Sequence, residues 1–138
     1  MRLFLDANVL FSAALTADGR ARALFDLAGP KEMTLLASPH AIAEAIRNIE
    51  LKYPDRVEEL QALVERLSVT LEATPSMAER AARQGLPAED APMLAAAIQA
   101  HADLLVTGDR THFGHLYGQT IAGLETVAPA EALARLLG

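Results

Sequence analysis

Three short and mostly apolar runs constrain the fold of this chain more than any other feature. They occupy residues 3–5, 33–37 and 104–107, and helical sequence lies between them. A strand with one face in water alternates apolar and polar residues, whereas a strand covered on both faces of a parallel sheet does not. The pattern therefore predicts an α/β protein with a mostly parallel central sheet and helices on both of its faces.

Helix signals fill most of the remaining sequence. Gly29-Pro30 is expected to stop a helix over 21–28, and Ser38-Pro39 has the form of a helix start that leads to about Lys52. Ser76 and Glu79 have capping-box spacing, which predicts a helix from there to Gln84. The other predicted helices cover 6–15, 55–67, 91–102 and 129–137, with a short helix or turn at 112–117 and weaker strands at 69–71 and within 120–127.

Length, charge and composition exclude several classes of protein. The 138 residues suit one domain, predicted to span 1–138. The absence of cysteine excludes disulfides and thiolate metal sites and favours a cytoplasmic location. No apolar run approaches the roughly 18 residues of a membrane span, and Asp6 interrupts the N-terminal run where a secretion signal would be apolar, so we expect no membrane partner. The net charge of −6 neither supports nor excludes a nucleic-acid substrate, because acids gathered in one pocket can be neutralised by cations.

Four acidic residues are expected at one edge of the predicted sheet. Asp6 and Asp109 follow the first strand and the 104–107 strand, so both lie at the carboxyl edge, where open α/β sheets bind ligands. Glu44 lies in the second turn of the helix that follows the second strand, and Asp90 begins the helix that leads back to the 104–107 strand. Both helices begin at the same carboxyl edge, so the topology places all four side chains there.

Four carboxylates in one pocket repel each other unless a cation neutralises them. Mg²⁺ and Mn²⁺ prefer oxygen ligands, and such an ion activates water and neutralises phosphate during in-line displacement. We therefore predict that Asp6, Glu44, Asp90 and Asp109 are catalytic residues and metal ligands for Mg²⁺ (or Mn²⁺).

Each of these residues also has a simpler interpretation. Asp6 and Asp90 could be helix caps, Glu44 a solvated helix residue and Asp109 a turn residue, so the prediction depends on their combination. Three neighbours are weaker candidates and a fourth is left open. Asn8 and Thr107 would orient water or the acids, Arg110 would contact substrate phosphate, and His112 is either a general acid or a turn residue.

Four sequence blocks together resemble the PIN-domain nuclease family. They are L-F-L-D-A-N-V-L at the N-terminus, Glu44 after S-P-H, E-D-A-P-M-L-A-A-A-I, and A-D-L-L-V-T-G-D-R-T-H-F. The resemblance spans the chain in the family's order. The first and last blocks are its most specific parts.

The resemblance implies a three-layer α/β/α sandwich and Mg²⁺- or Mn²⁺-dependent cleavage of RNA by Asp6, Glu44, Asp90 and Asp109. It also implies the toxin of a toxin–antitoxin pair, which forms a homodimer and is inhibited by a small antitoxin. Thr107 matches the small hydroxyl residue often found before the last acid. At Asp109 the chain departs from the V-T-x-N-x-x-H-F block of many small toxins, which indicates another branch of the family.

Two other functions remain open at this point. A phosphotransferase or phosphatase could use Asp6 as a nucleophile after the first strand, although Asn8 stands where such enzymes often have a second acid. The domain could also be a non-catalytic module that binds RNA or protein.

Overall fold

A computed structural model describes residues 1–28 and 33–138 and contains a six-stranded sheet. The strand order is β3-β2-β1-β4-β6-β5, and every neighbouring pair is parallel except β5 and β6. The strands, numbered along the chain, are β1 (Arg2–Leu5), β2 (Thr34–Ala37), β3 (Ser68–Val69), β4 (Leu104–Val106), β5 (Thr120–Ile121) and β6 (Leu124–Val127).

Eight α-helices accompany this sheet in the described part of the chain. They are α1 (Ala7–Leu15), α2 (Arg20–Leu27), α3 (Pro39–Lys52), α4 (Val57–Val64), α5 (Pro75–Ala82), α6 (Ala91–Gln99), α7 (Arg110–Phe113) and α8 (Pro129–Leu137). Short 3₁₀ turns at Pro54–Arg56 and Gly114–Leu116 precede α4 and follow α7. The predicted stop at Gly29-Pro30 lies outside the described residues. None of the described helices is long and apolar enough to cross a membrane.

The helices cover the sheet on both faces, which confirms the predicted α/β fold with its layers of helix, sheet and helix. Leu3 and Leu5 pack with α1 to α4 and α8 in one hydrophobic core. Phe4, between them in sequence, packs with α5, α6 and Phe113 in the other. Successive residues of β1 therefore enter opposite cores, and this is why the run is apolar at every position.

Two local predictions differ from the structure. The helix expected to begin at Ser76 begins at Pro75, because the hydroxyl of Thr74 accepts a hydrogen bond from the Met77 amide at 3.3 Å and caps it. The last predicted strand is a hairpin of β5 and β6, whose turn has positive φ angles at Ala122 and Gly123. The boundary moves by one residue in the first case because Thr74 is the cap, and the strand is divided in the second because the chain turns at Ala122 and Gly123.

The chain order places a crevice at the centre of the sheet. From β1 the chain moves outward through β2 and β3, and it then returns to the other side of β1 as β4. Such a reversal opens a gap beyond the carboxyl ends of the two central strands. Leu5 pairs with Val106, so the next residues along each strand, Asp6 and Thr107, come side by side at this gap.

Candidate metal centre

Asp6 is a buried carboxylate that is held at both oxygens. Its side chain is 7 % exposed, and its amide extends the sheet by donating to Val106 O at 3.0 Å. Oδ1 accepts a hydrogen bond from the Ala7 amide at 2.6 Å, while Oδ2 accepts from Thr107 Oγ1 at 2.7 Å and from Asn8 Nδ2 at 2.8 Å. The helix-cap role considered for Asp6 is therefore present, together with side-chain contacts that a cap does not need.

Asn8 and Thr107 connect the start of α1 to the turn after β4. The fully buried Thr107 hydroxyl also accepts from the Asp109 amide at 3.1 Å. Asn8 Oδ1 accepts from the Gly108 amide at 2.9 Å. The two residues proposed from the sequence to orient the acids thus lie in direct contact with Asp6, and they also fix the backbone that carries Asp109.

Asp90 and Asp109 lie on either side of one imidazole. His112 Nδ1 is 2.9 Å from Asp109 Oδ2 and 3.0 Å from Asp90 Oδ2. Asp109 Oδ1 also accepts from the His112 amide at 3.1 Å and caps α7. One ligand atom from each of these three residues lies within 4.8 Å of the other two, a spacing that can hold a metal ion.

Asp90 does not fit the helix-cap interpretation. It precedes α6 but makes no capping hydrogen bond. Its Oδ2 atom is buried and has no hydrogen-bond partner among the described residues, because the contact with His112 is an ion pair without hydrogen-bond alignment. A buried carboxylate oxygen without a donor is costly, and a hard cation is the ligand that would satisfy it. The donor set is thus suited to Mg²⁺ or Mn²⁺.

Glu44 reaches the same region from α3. It is partly buried and lines a small cavity of about 30 Å³ together with Asp6 and Asp90. Such a volume admits one or two water molecules. The cavity also contacts the acids Glu72 and Glu89 and the residues Ser38, His40, Ala41, Pro92 and Met93.

The predicted acids therefore meet in two overlapping groups. Asp6, Glu44 and Asp90 share the cavity, whereas Asp109 is joined to Asp90 by His112 and is not part of the cavity lining. Asp90 belongs to both groups. Arg110, the predicted phosphate ligand, is exposed at the start of α7 and lines a separate groove.

The electrostatics of the site disfavour the ionised acids. Burial raises the pKa of Asp6 from 3.8 to about 6 against the opposing hydrogen bond from Thr107, and the charges of Glu44 and Asp109 raise it further. Burial is also the largest cause of a raised pKa at Asp90, where His112 opposes the shift and the carboxylates of Asp109, Glu89 and Glu44 add to it. A bound cation would reverse this balance, because it favours the charged form of every acid around it.

Three polar residues of the site had little or no signal in the sequence. Glu89 adjoins Asp90 and could have been found from that position alone. Glu72 precedes α5 in an irregular segment, and its Oε1 accepts from the His40 amide at 3.3 Å, a contact that no periodicity predicts. Tyr117 donates its hydroxyl to Thr107 O at 2.7 Å.

A family model described as PIN domain matches residues 2–111. Among curated proteins, none matches the chain in sequence. The solved structures that match include VapBC2 from Rickettsia felis bound to a DNA fragment from its promoter, with 18 % identity and a TM-score of 0.68 over 93 % of this chain and 98 % of that one.

Two further solved structures have comparable likeness. A toxin–antitoxin complex from Klebsiella pneumoniae matches at 18 % identity and TM-score 0.63 over 92 % of this chain and 97 % of that one. Mycobacterium tuberculosis VapC20, a toxin that cleaves the sarcin–ricin loop, matches at 14 % identity and TM-score 0.57 over 87 % and 97 %. At these identities the likeness shows a shared fold.

Proposed function

Because this chain belongs to the PIN domain family, we propose that it is an endoribonuclease that depends on Mg²⁺ or Mn²⁺. The observation that carries the proposal is Asp90, whose buried Oδ2 accepts no hydrogen bond and belongs to a residue that joins the Asp6–Glu44 cavity to Asp109. A purely structural role does not explain both the missing hydrogen bond at Oδ2 and the gathering of acids around Asp90. A cation-binding role explains both.

Asp90, Asp109, Asp6 and Glu44 would hold the ion, which when bound supplies positive charge at the scissile phosphate and acidifies an attacking water. The chain's own residues do the positioning. Thr107 and Asn8 hold the Asp6 carboxylate by two hydrogen bonds to Oδ2, so its orientation does not depend on the ion. Arg110 is exposed beside Asp109 and would contact a neighbouring phosphate of the strand.

A cleavage assay on circular and linear RNA tests the proposal. Purified protein with Mg²⁺ or Mn²⁺ should cut both substrates, and Asp6→Asn should lower the rate by roughly 100-fold or more, in line with the effect of removing a transition-state stabilising group. Asp103→Asn is the matched control, because Asp103 accepts from the Arg2 amide at the opposite edge of the sheet. Equal cleavage by wild type and Asp6→Asn would refute the catalytic assignment, and cleavage of linear RNA only would refute the endonuclease assignment.

A toxin role in a toxin–antitoxin pair is the finer part of the proposal. It is supported by the fold shared with VapBC2 and with the Klebsiella pneumoniae complex, which are toxin–antitoxin assemblies. We expect induced expression of this chain to arrest growth, and we expect this arrest to require the Asp6 carboxylate. Co-expression of a small antitoxin encoded beside it should restore growth. Growth arrest that persists in Asp6→Asn would contradict this role.

A homodimer is proposed from the resemblance to the same family. The exposed apolar side chains at the end of α3, Leu51 and Tyr53, are available for such an interface. Size-exclusion chromatography with light scattering measures the mass of the protein in solution. A mass near 14.7 kDa at micromolar concentration would exclude a stable dimer.

The structure weakens the alternative of an aspartyl phosphotransferase. The Asp6 side chain is almost fully buried and its Oδ2 already accepts two hydrogen bonds, so the carboxylate is poorly exposed for attack on a phosphoryl group. Oδ1 accepts only one hydrogen bond and keeps a lone pair for a metal ion. Treatment with beryllofluoride should leave Asp6 unmodified. The non-catalytic alternative predicts no binding of Mg²⁺ at millimolar concentration, which calorimetry measures.

A further inference from the structure

The cation centre proposed above contains one nitrogen atom among its oxygens. His112 Nδ1 is 3.0 Å from Asp90 Oδ2 and 2.9 Å from Asp109 Oδ2. An octahedral ion with ligands at about 2.1 Å keeps neighbouring ligand atoms about 3.0 Å apart. The nitrogen therefore lies at the distance of an adjacent octahedral corner from each carboxylate oxygen, and all three atoms lie within 4.8 Å of one another.

An ion pair alone leaves this arrangement incomplete. A proton on Nδ1 gives the imidazole one donor for two carboxylates, and Asp90 Oδ2 accepts no hydrogen bond although it is buried. A cation between the three atoms would bind both oxygens and the nitrogen lone pair together. The His112 amide donates to Asp109 Oδ1 at 3.1 Å, so the backbone that carries the imidazole is held beside Asp109.

We propose that His112 is a direct nitrogen ligand of the ion held by Asp90 and Asp109, and that it makes this centre select Mn²⁺ over Mg²⁺. The inference rests on the cation of the proposed function. Mg²⁺ is a hard ion that keeps oxygen ligands and water. Mn²⁺ also favours oxygen and is the weakest binder of the first-row divalent ions, but as a transition ion it accepts an imidazole nitrogen more readily than Mg²⁺ does. The nitrogen therefore stabilises bound Mn²⁺ more than bound Mg²⁺.

Pulsed electron paramagnetic resonance of the protein loaded with Mn²⁺ reads the ligand directly. Wild type should show a ¹⁴N coupling to the ion, and His112→Gln should lose it. His40 is the rival nitrogen donor because it lines the acidic cavity. His40→Gln should keep the coupling. His115→Gln should also keep it, since His115 Nε2 contacts Gln84 O away from the acids.

Calorimetry on the same proteins measures the selectivity. We expect His112→Gln to weaken Mn²⁺ binding by roughly 10-fold, within the range for altered metal ligation, and to change Mg²⁺ binding by less than about threefold. His112→Ala provides a second variant, in which added free imidazole should restore the ¹⁴N coupling. Thermal melts without metal establish that each variant is folded.

The outcomes separate this inference from the proposed function. Stoichiometric Mn²⁺ without ¹⁴N coupling, or a coupling that disappears in His40→Gln and not in His112→Gln, would overturn the His112 assignment while RNA cleavage by wild type persists. Equal loss of Mn²⁺ and Mg²⁺ affinity in His112→Gln would overturn the selectivity. If neither Mn²⁺ nor Mg²⁺ binding is weakened by Asp109→Asn, the centre itself is rejected, and the proposed function with it.

Discussion

Replacing Asp6 by asparagine should abolish cleavage and at the same time stabilise the protein at neutral pH. Asp6 is buried, and its pKa in the folded protein is about 6 against 3.8 for a free side chain. Between these values the folded protein holds a proton that the unfolded chain has released. Stability therefore decreases as pH rises through this window, and the ionised carboxylate is a net cost above it.

The size of this cost follows from the shift of about two units, which corresponds to about 3 kcal/mol at 1.36 kcal/mol per unit. Asparagine removes the cost but offers one acceptor oxygen where aspartate has two. It therefore loses a hydrogen bond from Ala7, Asn8 or Thr107, worth about 1 kcal/mol. We expect Asp6→Asn to be more stable than wild type by about 2 kcal/mol at pH 8. At pH 4, where the unfolded carboxyl is already partly ionised, it should be less stable by about 0.5 kcal/mol.

Urea unfolding with a chelator present measures the difference at both pH values. Asp18→Asn, in the exposed turn before α2, is the control and should track wild type throughout. A stability difference between Asp6→Asn and wild type that is the same at pH 4 and pH 8 would refute the reasoning, because the burial of a charge would then contribute nothing. Added Mn²⁺ should reduce the stability difference between Asp6→Asn and wild type at pH 8, because a nearby cation stabilises the carboxylate of wild type but not the amide of the variant.

Three further substitutions test the supports of the site. Thr107→Val removes a hydrogen bond that lowers the pKa of Asp6, so the acid limb of the cleavage pH profile should move upward, and Thr107→Ser should restore it. Tyr117→Phe loses the hydrogen bond to Thr107 O and should lower the free energy of unfolding by about 1 kcal/mol in urea. Phe113→Ala opens a cavity under α7 and should cost about 3–5 kcal/mol, seen as a lower melting temperature.

The placement of the acids at one sheet edge was predictable because it follows from chain direction alone. Asp6 ends one buried parallel strand, and a helix that leads into another strand must begin at the edge where the first strand ended. Chain direction is independent of strand order, so it predicted that Glu44 and Asp90 lie at the same edge as Asp6 but not that they are adjacent; the structure adds the shared cavity. The uniform apolar character of 3–5 and 104–106 likewise indicates burial on both faces, and the residues of both runs divide between the two cores.

The finer arrangement depends on long-range packing that periodicity does not carry. Nothing in the sequence indicates that β4 returns beside β1, yet that adjacency brings Thr107 within 2.7 Å of Asp6. The position of the His112 imidazole likewise depends on long-range packing. Its position near Asp90 depends on how α7 packs against α6, and a histidine two residues after the Gly-Asp-Arg turn is equally consistent with a turn role.

The two halves of the site differ in what holds them, and this difference has a physical consequence. Asp6 receives three hydrogen bonds from Ala7, Asn8 and Thr107, so its geometry is set by the fold. Asp90 Oδ2 receives none and is held only by charge. A cation would satisfy Asp90 in the way that the hydroxyl and amide donors satisfy Asp6. The start of α6 should therefore become more ordered when the ion binds, while the start of α1 should not change. Amide hydrogen exchange measured with and without Mn²⁺ compares the two helices directly. If Mn²⁺ increases the protection of α6 no more than that of α1, the fold alone also holds the Asp90 side of the centre.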